Sequence, residues 1–444
     1  MGNRFVNDHS GKISLPQNML QQYAQDPVAA DKDFFGRIAE ADRRGFLKGA
    51  GLAAMSAMLG AAIPFSRDMP SGLIPIAMAE EALAGMPGKE GMTVLGDKPI
   101  NIESPAHLLN DDITPTSRHF VRNHGSVPEQ VDGAAWTLTI DGEVEKPLTL
   151  TIRDLQSQFP VVSELATIEC GGNGRAFFNP PARGNQWTVG AVACAKWTGV
   201  RLADVIKAAG PKQSALYTAH HGADRDLADP DKPALSRGIP MEKAMEPHTL
   251  IAFAMNDGPI PSLNGHPLRL VVPGWVGSAS QKWLNRIQLR DVVHDGKGMT
   301  GTSYRLPERP LQPGEEAPEA LFSRIITAMP VKSLITSPQS GTKVDATSKK
   351  VAVRGHAWAG ENTVREVVLS IDFGATWFKA HLSEAANKYA WQHWNADITF
   401  PSAGYFEIWA RATDSMGNAQ PFAIAWNPGG FLGNAMHRIA VRVA

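Results

Sequence analysis

The run IECGGNGR carries the most reactive side chain of the sequence: Cys170 is followed by three glycines within four positions and then by Arg175. Glycine frees the backbone for unusual dihedrals and for close approach of a ligand. A thiol beside backbone N–H groups and a guanidinium suits a thiolate, the form that binds metals. The same residues also describe a buried structural cysteine next to a glycine turn, and the loop alone leaves both readings open. Cys194, the second of the two cysteines, lies among small apolar residues in AVACAKW and reads as core.

Two further runs have the donors for an anion. Phe120-Val121-Arg122-Asn123-His124-Gly125 combines a planar guanidinium fork with the directional hydrogen bonds of Asn and His, which fits a phosphate or an oxyanion and equally a hydrogen-bonded surface turn. In LNGHPLRLVVPGWVGSASQKWL, Asn264, His266 and Arg269 precede a strand-like run, and a Gly/Ser loop holding Ser278, Ser280 and Gln281 leads to Lys282. A glycine-rich loop followed by lysine suits a phosphate group. The spacing is neither G-x-x-x-x-G-K-[ST] nor a dinucleotide G-x-G-x-x-G, which excludes those two phosphate loops.

These residues need elements to hold them. From Trp136, WTLTIDGEVEKPLTLTIRDL alternates apolar and polar positions, turns at Asp141-Gly142, alternates again and passes into a short helix over Ile152 to Gln158. TIEC, LIAFAMN and LRLVVPG read as strands and VRLADVIKAAG as a strand end passing into a helix, so residues 100–325 are expected to form one mixed α/β domain. Residues 80–99 read as an extended lead-in, with little periodicity as far as residue 115. LPERPLQPGEEAPEA, at 306–320, is dense in Pro and Glu and marks a connection. After it, VAVRGHAWA, REVVLSIDFGATWFKAHL, WQHWNADITF and YFEIWARATD alternate at turn-separated intervals, and 326–444 is expected to be an immunoglobulin-like β-sandwich. The fold class is thus α+β.

Lys plus Arg number 43 against 44 for Asp plus Glu, so net charge offers no attraction for nucleic acid or an anionic membrane surface. Residues 1–79 are read as an export region: Arg43-Arg44-Gly45-Phe46-Leu47-Lys48 precedes the uncharged run Gly49 to Ile63, and Ala77-Met78-Ala79 offers a small-x-small cleavage site. That run is shorter than the roughly 20 apolar residues of a membrane span, so no anchor is expected after processing, and the destination is the periplasm. In that oxidising compartment a pair of cysteines also admits one disulfide, the arrangement expected of an exported binding protein. No C-x-x-C-H haem motif occurs, and two cysteines cannot supply the four thiolates of an iron–sulfur cluster. Any electron relay is therefore another protein.

Taken in order, the three runs resemble the sulfite oxidase family of molybdopterin enzymes from about residue 100 to the C-terminus. Phe120 to His124, Cys170 with Arg175, Trp187 with Gly190-Ala191 and Trp197, Gly222-Ala223-Asp224, Asn264 to Arg269, and Val272-Pro273-Gly274 through Lys282-Trp283 carry the resemblance, joined in the C-terminal part by IDFGATW and Met436-His437-Arg438. The resemblance implies a molybdenum held by Cys170 and by the dithiolene of one pyranopterin. It implies an oxyanion pocket of Arg122, Arg175 and Arg438 with Tyr304 as hydrogen-bond donor. The pterin and its phosphate fall to Asn123, His124, Asp224, Asn264, Arg269, Ser278, Ser280, Gln281 and Lys282. The implied reaction is oxidation of sulfite to sulfate by a homodimer with a c-type cytochrome as electron acceptor. A sulfane dehydrogenase molybdenum subunit is the alternative, and a methionine-sulfoxide-type reductase is disfavoured by the C-terminal domain. Asn264 and Met436 depart from animal members, which carry histidine and tryptophan there.

Overall fold

The computed structural model describes residues 88–444 except Gln130. The twin-arginine run, the apolar run and the cleavage site all lie outside the described residues.

Regular structure begins ahead of the start near residue 100 that the sequence suggests. Thr93–Asp97 and Ile100–Glu103 pair antiparallel, and Val121–Arg122 joins them as a third strand. Their alternation covers only four or five residues each, too short to register as a period, and it is the pairing with Val121–Arg122 that makes them a sheet.

Two five-stranded sheets follow. In the first, Val161–Glu169, Val192–Arg201, Leu250–Met255 and Gly258–Pro259 lie side by side antiparallel, and Arg269–Val271 also pairs with Leu250–Met255. In the second the order is Leu148–Thr151, Thr137–Gly142, Leu284–Arg290, Tyr217–Gly222 and Gly238–Pro240, with one parallel pair, Thr137–Gly142 against Leu284–Arg290. The helix Ile152–Gln158 forms where the sequence places it, started by a capping box in which Thr151 accepts from the Asp154 N–H and the Asp154 carboxylate accepts from the Thr151 N–H. The helix Leu202–Ala209 buries Leu202, Val205, Ile206 and Ala209 and stops at Gly210, whose φ of +67° favours glycine. Both pack on a core that includes Leu138, Ile140, Leu270, Leu284 and Ile287. Among the described residues helices are few and short, so the expected mixed α/β domain is mostly sheet: the periodic stretches that read as helix extend for only two turns.

The C-terminal part is built from strands. One sheet runs Lys332–Ser337, Lys350–Trp358, Gln392–Thr399, His381–Leu382; the other runs Thr342–Val344, His437–Val443, Gly404–Asp414, Val364–Ser370, Phe378–Lys379. Alternation places Val353, Ala357, Trp394 and Ile398 of the first and Val367, Leu369, Ile408, Ala410, Ile439 and Val441 of the second in one buried cluster between them.

Candidate active site

Cys170 sits one residue past the strand Val161–Glu169, whose last four residues are buried. Its N–H donates to Ala191 O at 2.9 Å and its carbonyl accepts from Asn173 N at 2.9 Å, so both backbone groups are fixed. The glycines after it are required by space. A Cβ on Gly171 would stand 2.4 Å from Val276 Cγ2, and one on Gly172 would stand 2.5 Å from the Arg175 guanidinium. Arg175 is thereby folded against the loop, with Nε donating to Gly429 O and Nη1 to Asn185 O, both at 2.9 Å. Burial pulls its pKa down, and the charges of Cys170 and Tyr304 oppose that shift.

Cys170 faces a cleft of about 620 Å³ together with Arg122, His124 and Tyr304. Tyr304 has a φ of +50° and a buried ring that lies 4.7 Å over the Arg237 guanidinium and 5.1 Å from Phe431. Its hydroxyl is 2.6 Å from His124 Nε2. Burial, reinforced by Arg122 and Lys282, holds the His124 imidazole well below its usual pKa, so the ring is neutral. Burial pushes the Tyr304 phenol up, so it keeps its proton.

The cleft is also lined by Asp224, Asn264, Arg269, Ser278, Ser280, Gln281 and Lys282. Arg269 is fixed by Asn264 O at 2.8 Å and Ser280 O at 3.2 Å, with Trp197 packed 4.8 Å from its guanidinium. Burial lowers its pKa to about 9. Lys282 donates to Leu263 O at 2.7 Å and to Asn123 Oδ1; burial, then Arg269, pull it well below the ordinary lysine range. Asp224 accepts from Gln281 Nε2 at 3.3 Å and is pushed up to about 6, first by burial, against the pull of Lys282.

The cleft thus gathers most of the residues singled out from the sequence, with Arg175 behind Gly172 and Asn123 behind Lys282. Arg438 is the exception. It lies on His437–Val443, where residues alternate inward and outward, and its side chain is 64% exposed, pairs with Glu407 at 3.6 Å and lies 5.7 Å from the Trp409 ring. Of the three arginines expected to form an oxyanion pocket, Arg122 lines the cleft, Arg175 lies behind Gly172, and Arg438 stands apart, because strand alternation turns it outward while Ile439 enters the core. The C-terminal part reaches the site instead through 427–433. Leu432 N donates to Gly171 O at 2.8 Å, and the Phe431 ring lies 5.3 Å from the Arg175 guanidinium. Sequence reading missed Phe431, although GGFLG is a visible glycine-rich turn. It also missed Arg237, a fully buried guanidinium whose Nε and Nη1 have no partner and whose pKa burial lowers to about 10; nothing in LSRGIP signals it.

Cys194 is buried, its thiol pushed up to about 11 by burial, and both cysteines are free. The disulfide admitted by the sequence is not formed.

The fit of a pterin-bound metal rests on the polar atoms. Asn123 Nδ2, His119 Nε2, Asn264 Oδ1, Ser278 Oγ and Gln281 Oε1 are buried in or beside the cleft without a protein partner. Buried donors and acceptors left open are costly unless a ligand completes them. A heterocycle with amide edges matches this mixed set, a phosphate matches the desolvated Lys282 and Arg269 cations, and a soft metal matches the free Cys170 thiol.

Residues 124–297 match the oxidoreductase molybdopterin binding domain and residues 323–444 the Mo-co oxidoreductase dimerisation domain. The chain is 34% identical to sulfite oxidase of Gallus gallus over 81% of this chain and 80% of that one. It is 35% identical to the mitochondrial sulfite oxidase of Drosophila melanogaster over 78% of this chain, and spans 62% of that relative's length. An NADH nitrate reductase of Hordeum vulgare is 31% identical over 78% of this chain and 40% of its own. Among solved structures, the sulfane dehydrogenase SoxCD from Paracoccus pantotrophus superposes with a TM-score of 0.66 at 28% identity, covering 78% of this chain and 85% of that one. A molybdenum-molybdopterin cofactor and a C-terminal dimerisation domain follow, and the chain belongs to the sulfite oxidase family of molybdopterin oxidoreductases.

Proposed function

We propose that this protein is a periplasmic sulfite dehydrogenase that oxidises sulfite to sulfate and passes the electrons to a c-type cytochrome. The observation that carries the reading is the free Cys170 thiol opening into one cleft with Arg122, His124 and Tyr304. Sulfite oxidases among the relatives support the substrate.

In this reading Cys170 holds the metal, and Asn123, His124, Asp224, Asn264, Arg269, Ser278, Ser280, Gln281 and Lys282 hold the pterin and its phosphate. When bound, the cofactor supplies two-electron redox chemistry with oxygen transfer to the substrate. The chain's own residues supply an electrostatic frame. Arg122 and Arg175 attract a small dianion and offset its charge, in a pocket fixed before substrate arrives. The Tyr304 hydroxyl, protonated and oriented by the neutral His124 ring, donates a hydrogen bond to the oxyanion. Phe431 packs against the Tyr304 ring and the Arg175 guanidinium, and apolar surface beside these groups strengthens their electrostatic interactions.

The twin-arginine run in the sequence supports export to the periplasm, and the absence of a haem motif from this sequence supports a separate cytochrome as acceptor. The C-terminal two-sheet domain, read as immunoglobulin-like, supports a homodimer. The superposition with SoxCD favours a second reading, the molybdenum subunit of a sulfane dehydrogenase.

The test is sulfite-dependent reduction of cytochrome c by the purified holoenzyme. Turnover on free sulfite supports the first reading. Turnover confined to a carrier-bound sulfane supports the second, and turnover on neither overturns both. Fractionation of cells carrying Arg43→Lys with Arg44→Lys tests export, which predicts cytoplasmic retention.

A further inference from the structure

Cys170 is bracketed by a buried ion pair that joins the two halves of the structure. Glu169, immediately before Cys170, is 1% exposed, and Lys332, the first residue of Lys332–Ser337 in the C-terminal part, is 5% exposed. The Lys332 ammonium donates to Glu169 Oε1 and to Asn173 O, the latter at 3.1 Å. Trp358, which faces Lys332 across the paired strands, donates from Nε1 to Glu169 Oε2 at 2.7 Å. Asn173 closes the circuit. Its Nδ2 donates to Glu169 Oε1 at 2.9 Å, and its Oδ1 accepts from Ala191 N at 3.1 Å. Ala191 O and Asn173 N are the partners of the Cys170 backbone.

Both carboxylate oxygens are therefore paired, and the ion pair reaches the backbone of residue 170 through Asn173, which contacts Glu169, Lys332 and the Cys170 carbonyl. A buried ion pair is a weak stabiliser, since desolvation offsets its attraction and an apolar pair would join two domains as well. A buried pair with fixed hydrogen-bond directions does what an apolar contact cannot: it sets position and orientation.

We propose that Glu169 and Lys332, with Trp358, are positioning residues: the C-terminal domain sets the placement of the Cys170 sulfur at the metal through this pair. The proposal rests on the reading of Cys170 as the metal ligand. It assigns the dimerisation domain a part in tuning the metal centre.

The test uses the molybdenum-loaded enzyme with Glu169→Gln, Glu169→Gln/Lys332→Met, which leaves no unpaired charge, and the milder Trp358→Phe. The readouts are molybdenum per chain, the thiolate-to-molybdenum absorption band, the Mo(V) paramagnetic resonance spectrum, and kcat and KM separately. Expected are near-stoichiometric metal, shifted absorption and resonance spectra, and kcat lowered about tenfold with KM within about twofold, the usual consequence of losing an outer-sphere partner. Wild-type spectra and kcat at full metal content in Glu169→Gln and Trp358→Phe would overturn the proposal. Cys170→Ser is the control: unchanged spectra there would overturn the ligand assignment and the proposal with it. A changed spectrum in Cys170→Ser beside unchanged spectra in the Glu169 and Trp358 variants would overturn the positioning role alone.

Discussion

The Tyr304 hydroxyl and His124 Nε2 meet at 2.6 Å across 180 residues of sequence, the tyrosine buried and the histidine half-buried, both lining the cleft that holds Cys170. Because burial keeps the phenol protonated and the imidazole neutral, the phenol remains a donor throughout the neutral range. Tyr304→Phe is expected to lower kcat on the order of a hundredfold, the usual effect of losing one preorganised donor to an oxyanion, with a smaller change in KM. Steady-state kinetics at full molybdenum content measures it, and an unchanged kcat would remove Tyr304 from the reacting centre.

Arg438 and Arg122 separate the resemblance from the geometry. Arg438 is an exposed partner of Glu407, and exposed pairs contribute at most about 1 kcal/mol, so Arg438→Ala is expected to leave kcat/KM within about twofold. Arg122→Ala is expected to lower kcat/KM for the anionic substrate by roughly tenfold or more, through loss of a charge-assisted contact. The two variants assayed side by side at several ionic strengths decide the matter. Equal losses would return Arg438 to the pocket.

The two cysteines should behave as opposites. Cys170→Ala removes a side chain that faces the cleft, so the purified protein is expected to lack turnover while keeping its unfolding midpoint. Cys194→Ala removes a fully buried thiol and is expected to keep metal and turnover while losing about 1 kcal/mol of stability. Metal analysis with denaturant melts reads both. Thiol titration of the unfolded, unreduced chain should find both cysteines free.

Glu103 gives the fold a pH dependence of calculable sign. Its carboxylate accepts from Thr188 N, Thr188 Oγ1 and Gly190 N, yet burial pushes it up to about 7 from an ordinary 4.5. The folded chain therefore holds a proton that the unfolded chain has released. The stability linked to that proton is complete below about 4.5 and is lost as pH rises through about 7. Relative to Glu103→Gln, the wild-type chain is expected to lose about 3 kcal/mol between pH 4.5 and 8. Urea unfolding of both proteins across that range measures the difference, and parallel profiles would contradict it.

The elements with sustained patterns were legible before folding. Ile152–Gln158 has a Thr-x-x-Asp start and lies after an alternating pair, so local rules suffice for it. The short strands Thr93–Asp97 and Ile100–Glu103 were not legible, since a sheet of four-residue strands is decided by its partners. The short helices Ile152–Gln158 and Leu202–Ala209 formed where their periods place them, but a period two turns long looks the same whether or not a larger helical layer surrounds it, and the mostly-sheet character of the domain was not legible.

By itself the sequence determined the thiol, the glycines and the cations of the cleft, because residue type and local spacing decide what a loop can bind. It also determined that residues 326–444 alternate as strands do. Only the tertiary structure decided which of those side chains share a site. Strand alternation turned Arg438 to solvent, chain crossing brought Phe431 and Arg237 to Tyr304, and the packing of two domains closed Glu169 and Lys332 around Cys170. Side-chain direction and long-range contact are properties of the packed chain, and no spacing along the sequence encodes them one residue at a time.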